Sequence, residues 1–564
     1  MSSPTGYRQR THAQRALLVG SIVCFAFGMR LYRLGYQELR GDEAFGVLFS
    51  TQPLSRIASE TVRTVEPHPP LDYVLLHGWM SVAGNSEFAM RFPSAVASTL
   101  AVAMVYALTR WMFGWRAGVW ASLFMAINPF QVWHAQESRM YAISTALALA
   151  SMLALWFALK KGGWMRWGGY ALLTVAHLYL HYYSFFIVLA QTLFVLACWR
   201  QHRRKWLGFV AAGLAVFLLY LPWLAMAWRL ILAYHGNGDS PSMIAMLSRS
   251  FRAFSLGETL PVAAAAPFLV AFGLLAAIGL WQAGRTQRRA ALLLGLCLAV
   301  PLFGVWLASL RRPVFNERYI IAATSPFLVS LGVGSAWLGT QRRWGRAVLA
   351  VLVAGCLFAS SLSLYNYYAV PEYSKTAGWR QLTAYLEEYA GAGDALIQNY
   401  PDPALAYYEP ESLPRYVLPK KADAHDSRTE RELERLSSRY DRLWFLPYPS
   451  ESWDRTGVVG QWLARHAHLQ EDLQLGNLRL QGYLPLPVAL RQMTPVEARL
   501  GTAVRLRGYR LDGSARAGDV MVLTLYWESL APVEANYSVF VHLADANEQI
   551  WGQHLSLIHI SEPT

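Results

Sequence analysis

The sequence predicts a polytopic α-helical membrane protein that continues into an exported α/β segment and a partial β-sandwich. Three observations carry this. The 564 residues are 54% hydrophobic, above the roughly 45–50% of ordinary soluble domains. The excess lies between residues 15 and 368, in successive apolar runs each close to the roughly 20 residues that cross a bilayer. After residue 368 the runs stop, and short helical and strand patterns alternate.

Candidate spans fall at 15–34, 90–112, 116–134, 139–160, 167–181, 183–199, 206–228, 263–281, 290–309, 319–339 and 345–366, about eleven in all. The basic N-terminal stretch MSSPTGYRQRTHAQR leads into an apolar run without a small-residue cleavage site, so the first run reads as a retained span. Orientation follows from Lys and Arg in alternate connections. Arg8, Arg10 and Arg15 precede the first span. Later clusters are Arg110 with Arg116, Lys160 with Lys161 and Arg166, Arg200 through Lys205, Arg285 with Arg288 and Arg289, and Arg342, Arg343 and Arg346. These are expected to face the cytoplasm, leaving 35–89, 135–138, 229–262, 310–318 and everything after 367 outside. The same pattern explains the formal net charge of +14 without a nucleic-acid partner. Residues 69–84 are apolar, but the run is short and carries Asp72 and His77. Reading it as a span would invert every later basic cluster, so it is expected to be an amphipathic helix on the outer membrane surface. The first outer loop is then long enough to be functional rather than a mere connector.

The four cysteines all lie inside apolar runs, which offers no disulfide framework and no zinc-type spacing; they read as small core residues.

The outer side collects polar residues where hydrocarbon penalises them. Asp42 and Glu43 open the first outer loop in the run LRGDEAF; paired carboxylates suit a general base with an orienting partner. His68 sits in EPHPPL, where prolines set a helix start. Glu137, Arg139 and Tyr141 crowd the short connection WHAQESRMY, and an Arg there can fork onto a carboxylate or phosphate. Arg311, Arg312, Arg318 and Tyr319 form a fourth cluster, RRPVFNERY. Its outward Arg residues break the positive-inside pattern, and an anionic headgroup would explain the exception. Each cluster alone has an ordinary explanation as solvated loop, helix punctuation or interfacial snorkelling. Together they combine a carboxylate base with phosphate-binding cations on one face, as group transfer from a lipid phosphate requires.

These segments resemble the GT-C superfamily, in the branch of protein O-mannosyltransferases and bacterial lipid A aminoarabinose transferases. The matching pieces are GDEAFGV, EPHPPLDYVLLHGW, NSEFAMRFPSAVAS, WHAQESRMYAIST and NERYIIAATSPF, in order over most of residues 15–340. The resemblance implies a GT-C fold in a bacterial plasma membrane, a polyprenyl-phosphate sugar donor and inversion at the anomeric carbon. It puts the catalytic carboxylate at Asp42 with Glu43 beside it. His68 matches a position where aminoarabinose transferases usually carry Lys. Arg139 matches the charged motif of the second outer loop, and Arg318 and Tyr319 match the late loop near the donor phosphate. The related oligosaccharyltransferase branch uses a divalent cation. No Asp-x-Asp stands in the second outer loop here, so no metal cofactor is expected.

The reading is therefore an inverting glycosyltransferase that moves sugar from a polyprenyl-phosphate donor to a hydroxyl acceptor on the non-cytoplasmic face. The acceptor is a protein, lipid or glycan that the residues do not specify, and a variant acting on lipid-linked oligosaccharide stays open. The alternative is a membrane-anchored binding or transport protein. Transporters carry internal repeats and broken midplane helices; no repeat is found, and the polar clusters lie on one side.

The expected organisation is a membrane domain over 1–368, an α/β domain over 369–490 and a partial sandwich over 497–554. Helices are predicted over 378–389 and 458–466, strands over 395–398 and 443–446, and period-two strands from residue 501. The last ten residues, LSLIHISEPT, break the pattern and are expected to be a non-native tail.

Overall fold

The computed structural model describes residues 4–63, 68–236, 238–408, 413–422, 426–449, 453–486, 493–512, 522–531, 537–545 and 549–558. The chain forms two compact units. One is Met1–Trp379 together with Pro403–Tyr408; the other is Arg380–Asp402 together with Glu409–Thr564.

The first unit is helical. Among the described residues eight helices are long and apolar enough to cross a membrane: Ala13–Leu31, Glu87–Phe113, Tyr141–Lys161, Arg203–Ala233, Val262–Thr286, Arg288–Ser309, Glu317–Leu338 and Arg343–Ala369. Three further expected spans form the shorter helices Trp115–Ile127, Trp164–Leu180 and Ser184–Ala197. At 1.5 Å per residue these reach only about 20–25 Å, so length and composition do not give eleven. The first is short for a local reason. Asn128 precedes Pro129, which disfavours a helical conformation at Asn128. Asn128 is extended, its side chain caps the next helix through Gln131 N–H at 3.0 Å, and Pro129–Ala135 starts anew. The break turns Trp133 and His134 onto a separate short helix at the site.

The long connection 35–89 contains three helices, Gly41–Ser50, Leu54–Glu60 and Leu71–Ala83. The last covers the segment expected as a surface helix. It has thirteen residues, turning Tyr73 and Leu76 inward and leaving Val74, Leu75 and Val82 exposed. Glu66 and Pro67 of the second motif lie outside the described residues. The expected connection 229–262 holds another helix, Met243–Leu256. Cys198, Cys297 and Cys356 are buried as expected, whereas Cys24 faces outward.

The helix Thr324–Leu338 is buried along most of its length. Small residues permit this. A Cβ added at Gly279 would overlap the Ser330 carbonyl, one at Gly334 would overlap that of Leu275, and one at Gly332 would stand 2.6 Å from that of Ala117. Close backbone approach of this kind is how helices associate without a hydrophobic drive between them. Because this helix continues from Arg318, its burial also holds that residue.

In the second unit β1 (Asp394–Gln398), β2 (Arg415–Val417), β3 (Arg442–Leu446), β4 (Ala467–Leu475) and β5 (Leu478–Pro485) form one sheet in the order β2-β1-β3-β5-β4. The first three strands are parallel, while β5 runs antiparallel to β3 and β4. The alternation of helix and strand in the sequence is thus an α/β layer finished by a hairpin. Beyond it, β6 (Thr494–Leu500), β7 (Val504–Asp512) and β8 (Val522–Ser529) make a three-stranded sheet, and β9 (Tyr537–Ala544) pairs with β10 (Ile550–Ile558). β10 therefore extends into the tail whose sequence breaks the alternation; 559–564 lie outside the described residues.

Candidate active site

The site is built on the turn before the helix Gly41–Ser50. Glu43 has no exposed surface, and every contact it makes anchors that turn. Its carboxylate accepts Arg91 Nε and Nη2, each at 3.0 Å, Ser138 N–H at 2.8 Å and Arg40 N–H at 3.3 Å. Arg91, equally buried in the helix Glu87–Phe113, also donates to the carbonyls of Leu34, Gln37 and Glu38. A buried Arg–carboxylate fork with every lone pair used fixes geometry. The neighbouring Asp42 is left free to face the opposite way.

Asp42 is 30% exposed, and its Oδ2 accepts Arg318 Nη1 at 3.0 Å. Arg139 Nη1 donates to the Asp42 carbonyl at 3.2 Å, and Arg139 Nη2 lies 3.2 Å from His68 Nε2. A guanidinium can only donate, so His68 Nε2 is the acceptor and the ring is neutral, with its proton on Nδ1. Burial, then the charges of Arg139, His181 and Arg318, hold the His68 pKa well below its ordinary value, which agrees. Burial alone would raise the Asp42 carboxyl; the pull of Arg139 and then Arg318 outweighs it, and the group stays below the usual carboxylate range. Asp72, in the first turn of Leu71–Ala83, shows the reverse balance: burial, only partly offset by Arg139, lifts it to about 6.

Glu137 forms a second buried anchor. It accepts Trp133 Nε1 at 3.0 Å, pairs with His134 Nδ1 at 2.7 Å and binds Lys375 Nζ at 2.9 Å, with Arg40 Nη1 at 3.7 Å. Burial opposes ionisation of Glu137, but Lys375 and then His134 hold it well below the ordinary value. Lys375 also lies 4.6 Å from the Trp133 ring centroid, a desolvated cation–π contact. Two residues of the site therefore stand within two positions of an immobilised carboxylate: Asp42 beside Glu43, and Arg139 after Glu137.

Behind Arg318 stands a ring cluster. Its guanidinium carbon is 5.4 Å from the Tyr141 centroid and 5.7 Å from that of Tyr319. Tyr319 stacks on Tyr183 at 4.9 Å, and His181 contacts Tyr141 and Tyr319 edge to face or tilted. The Nε atoms of Arg139 and Arg318 and the Tyr141 hydroxyl are buried without a partner among the described residues. These rings close one end of a cavity of about 620 Å³. His68, His181 and Tyr319 line its polar end, and Val188, Val216, Phe217 and Leu224 its apolar wall. The phenyl groups of Phe185 and Phe217 remain largely exposed on the outer flank of the bundle.

The structure thus brings Asp42, His68, Arg139, Tyr141, Arg318 and Tyr319 together, while Glu43 and Glu137 sit one layer behind them as anchors. Arg312 corrects an expectation. It does not await an anionic headgroup but donates to the carbonyls of Ile231, Leu232 and Tyr234, completing the C-terminal end of the preceding long helix. Sequence reasoning missed Arg91 and Lys375. Arg91 carried a readable signal, a charge at the outer end of the apolar run 90–112, away from the basic turn at Arg110. Lys375 follows the last span among ordinary polar residues and carried none. Also missed was Tyr408: its hydroxyl accepts Leu39 N–H at 2.6 Å and donates to Glu87 at 3.1 Å, bracing the same turn. Among the described residues no three His, Cys, Asp or Glu side chains converge as metal ligands.

A membrane bundle with this long first connection, carboxylate turn and late arginine has the GT-C fold, as its likeness to solved structures shows. Residues 67–226 match the family model described as dolichyl-phosphate-mannose-protein mannosyltransferase. The crystal structure of ArnT from Cupriavidus metallidurans bound to undecaprenyl phosphate is similar, with a TM-score of 0.57 at 14% identity over 85% of this chain and 98% of that one. The archaeal oligosaccharyltransferase AglB from Archaeoglobus fulgidus, in complex with an inhibitory peptide and a dolichol-phosphate, superposes with a TM-score of 0.52 at 12% identity over 77% and 70%. At these identities the likeness is one of fold. No curated protein sequence matches the chain.

Proposed function

We propose that the protein is an inverting glycosyltransferase that takes sugar from a polyprenyl-phosphate donor and passes it to a hydroxyl acceptor on the non-cytoplasmic side of the membrane. The observation that carries this is one carboxylate, Asp42, held between Arg318 and Arg139 beside a mostly apolar cavity that His68 and Tyr319 line. The apolar wall suits a polyprenyl chain, and the two guanidiniums suit its phosphate. The family-model match over 67–226 and the lipid phosphates carried by the two similar structures point the same way.

In the proposed reaction Asp42 takes the proton of the acceptor hydroxyl as the oxygen forms a bond to the anomeric carbon. The bond from that carbon to the donor phosphate oxygen breaks, and its electron pair leaves with the polyprenyl phosphate. Arg318 and Arg139 stabilise the charge that gathers there. Both have a buried Nε still able to donate, so a phosphate can share Arg318 with Asp42. Attack opposite the leaving phosphate inverts the anomeric centre. The lowered pKa of Asp42 keeps it ionised, as a base must be at neutral pH. The two guanidiniums supply the positive charge a divalent cation would otherwise bring, and transfer is proposed to persist in chelator.

The test is incubation of the purified protein in detergent with a panel of radiolabelled polyprenyl-phosphate sugars, following release of lipid phosphate. The expected result is release from at least one donor, unaffected by EDTA and abolished by Asp42→Asn. A correctly folded Asp42→Asn protein that releases lipid phosphate at the wild-type rate would sink the assignment.

A further inference from the structure

At the other end of the same helices lies a second cavity, of about 480 Å³, lined by Trp115, Arg116, Val119, Trp120 and Arg346 among others. The helix Glu87–Phe113 begins beside Arg91 and the Asp42 turn and ends just before Trp115. At 1.5 Å per residue its 27 residues separate the two sites by about 40 Å, so they face opposite membrane leaflets.

The lining contains two guanidiniums and no carboxylate. Neither Arg116 nor Arg346 has an acidic partner among the described residues, in contrast to the paired arginines of the outer site. Arg116 lies 5.6 Å from the Trp115 centroid, and Arg15 covers the same ring at 4.6 Å. Indole rings beside unpaired arginines characterise the depth where lipid headgroups meet acyl chains. The cavity floor is apolar beside these charges, with Val119 and Ala336 among its lining.

From this we propose that the cavity binds the phosphodiester headgroup of an anionic phospholipid, with Arg116 and Arg346 on the phosphate and the start of the acyl chains against Trp115, Val119 and Trp120. The unpaired charge selects an anionic group, and the indole rings of Trp115 and Trp120 with Val119 select a lipid over a soluble phosphate. This site is independent of the transfer reaction and stands whether or not that reading does.

The experiment is native mass spectrometry of the full-length protein in neutral detergent, titrated with dioleoyl phosphatidylglycerol or dioleoyl phosphatidylcholine. Phosphatidylglycerol is expected to be retained in preference to phosphatidylcholine. The double substitution Arg116→Gln/Arg346→Gln should weaken it about 30-fold, since two arginines near a membrane surface contribute about 1 kcal/mol each. Arg285→Gln/Arg288→Gln, on another basic turn of the same end, should leave retention unchanged. Val119→Trp fills the cavity without touching its charge and should also reduce binding, which keeps the test open if the double variant does not fold. Equal losses from both arginine pairs would show diffuse surface attraction and overturn the site. So would equal retention of the two lipids, or no loss in either cavity variant. Displacement of the lipid by glycerol phosphate would assign the cavity to a soluble phosphate instead.

Discussion

Two adjacent carboxylates with opposite duties make the sharpest prediction. Glu43 and Arg91 are each about 1% exposed and joined by two charge-assisted bonds, and Arg91 spends its remaining donors on three backbone carbonyls. Glu43→Ala leaves that guanidinium charged and buried without a counterion. Breaking such a pair costs about 3–5 kcal/mol, and the loss of the Ser138 and Arg40 contacts adds to it. Asp42 is partly exposed and has one side-chain bond, so Asp42→Asn should change stability by less than about 1 kcal/mol. On the proposed mechanism the general-base term it removes is worth roughly 10²–10⁴ in rate. Thermal unfolding followed by fluorescence-detected size exclusion, run beside lipid phosphate release, separates the two. The expected pattern is a large fall in melting temperature for Glu43→Ala and none for Asp42→Asn, which is nonetheless inactive. If Glu43→Ala proved as stable as wild type, or Asp42→Asn as unstable as Glu43→Ala, the division of labour would be refuted.

Four further predictions follow from the same geometry. Arg139→Lys keeps the charge but loses the fork that spans the Asp42 carbonyl and His68; lipid phosphate release should fall by about 10- to 100-fold at unchanged melting temperature. Lys375→Met strands Glu137 with a buried charge and should destabilise by about 3 kcal/mol, read from denaturant midpoints. Tyr408→Phe removes the acceptor of Leu39 N–H and should cost about 1–3 kcal/mol, with a lower turnover at unchanged donor KM. Asp72 carries a pKa raised to about 6, so the folded state holds its proton more tightly than the unfolded chain does. Its contribution to stability is full below about pH 4 and is lost as pH rises through 6. Asp72→Asn should therefore raise the melting temperature at pH 7.5 and leave it unchanged at pH 4; a shift equal at both values would contradict the buried-carboxyl assignment.

The apolar runs, the alternating basic turns and the clustering of polar residues on one side are properties of the chain alone, because membrane crossing imposes length and charge rules that act locally. They made the helical bundle, the change of pattern after residue 368 and the candidates Asp42, His68, Arg139, Tyr141, Arg318 and Tyr319, which the fold brings together, legible in the sequence. What local rules cannot reach is which of two neighbouring carboxylates is anchored in the interior and which stays partly exposed. That depends on Arg91, 48 positions away, arriving opposite Glu43. Lys375 reaches Glu137 only because the last long helix returns its end to the site, and Arg312 reads as a free cation until the helix it caps is seen beside it. Even the lengths of the helices escaped the apolar pattern where Asn128 and Pro129 broke a continuous run. Composition is summed along the chain, whereas pairing of buried charges is decided across it; the second is a tertiary quantity because each desolvated ion must find its partner from another helix.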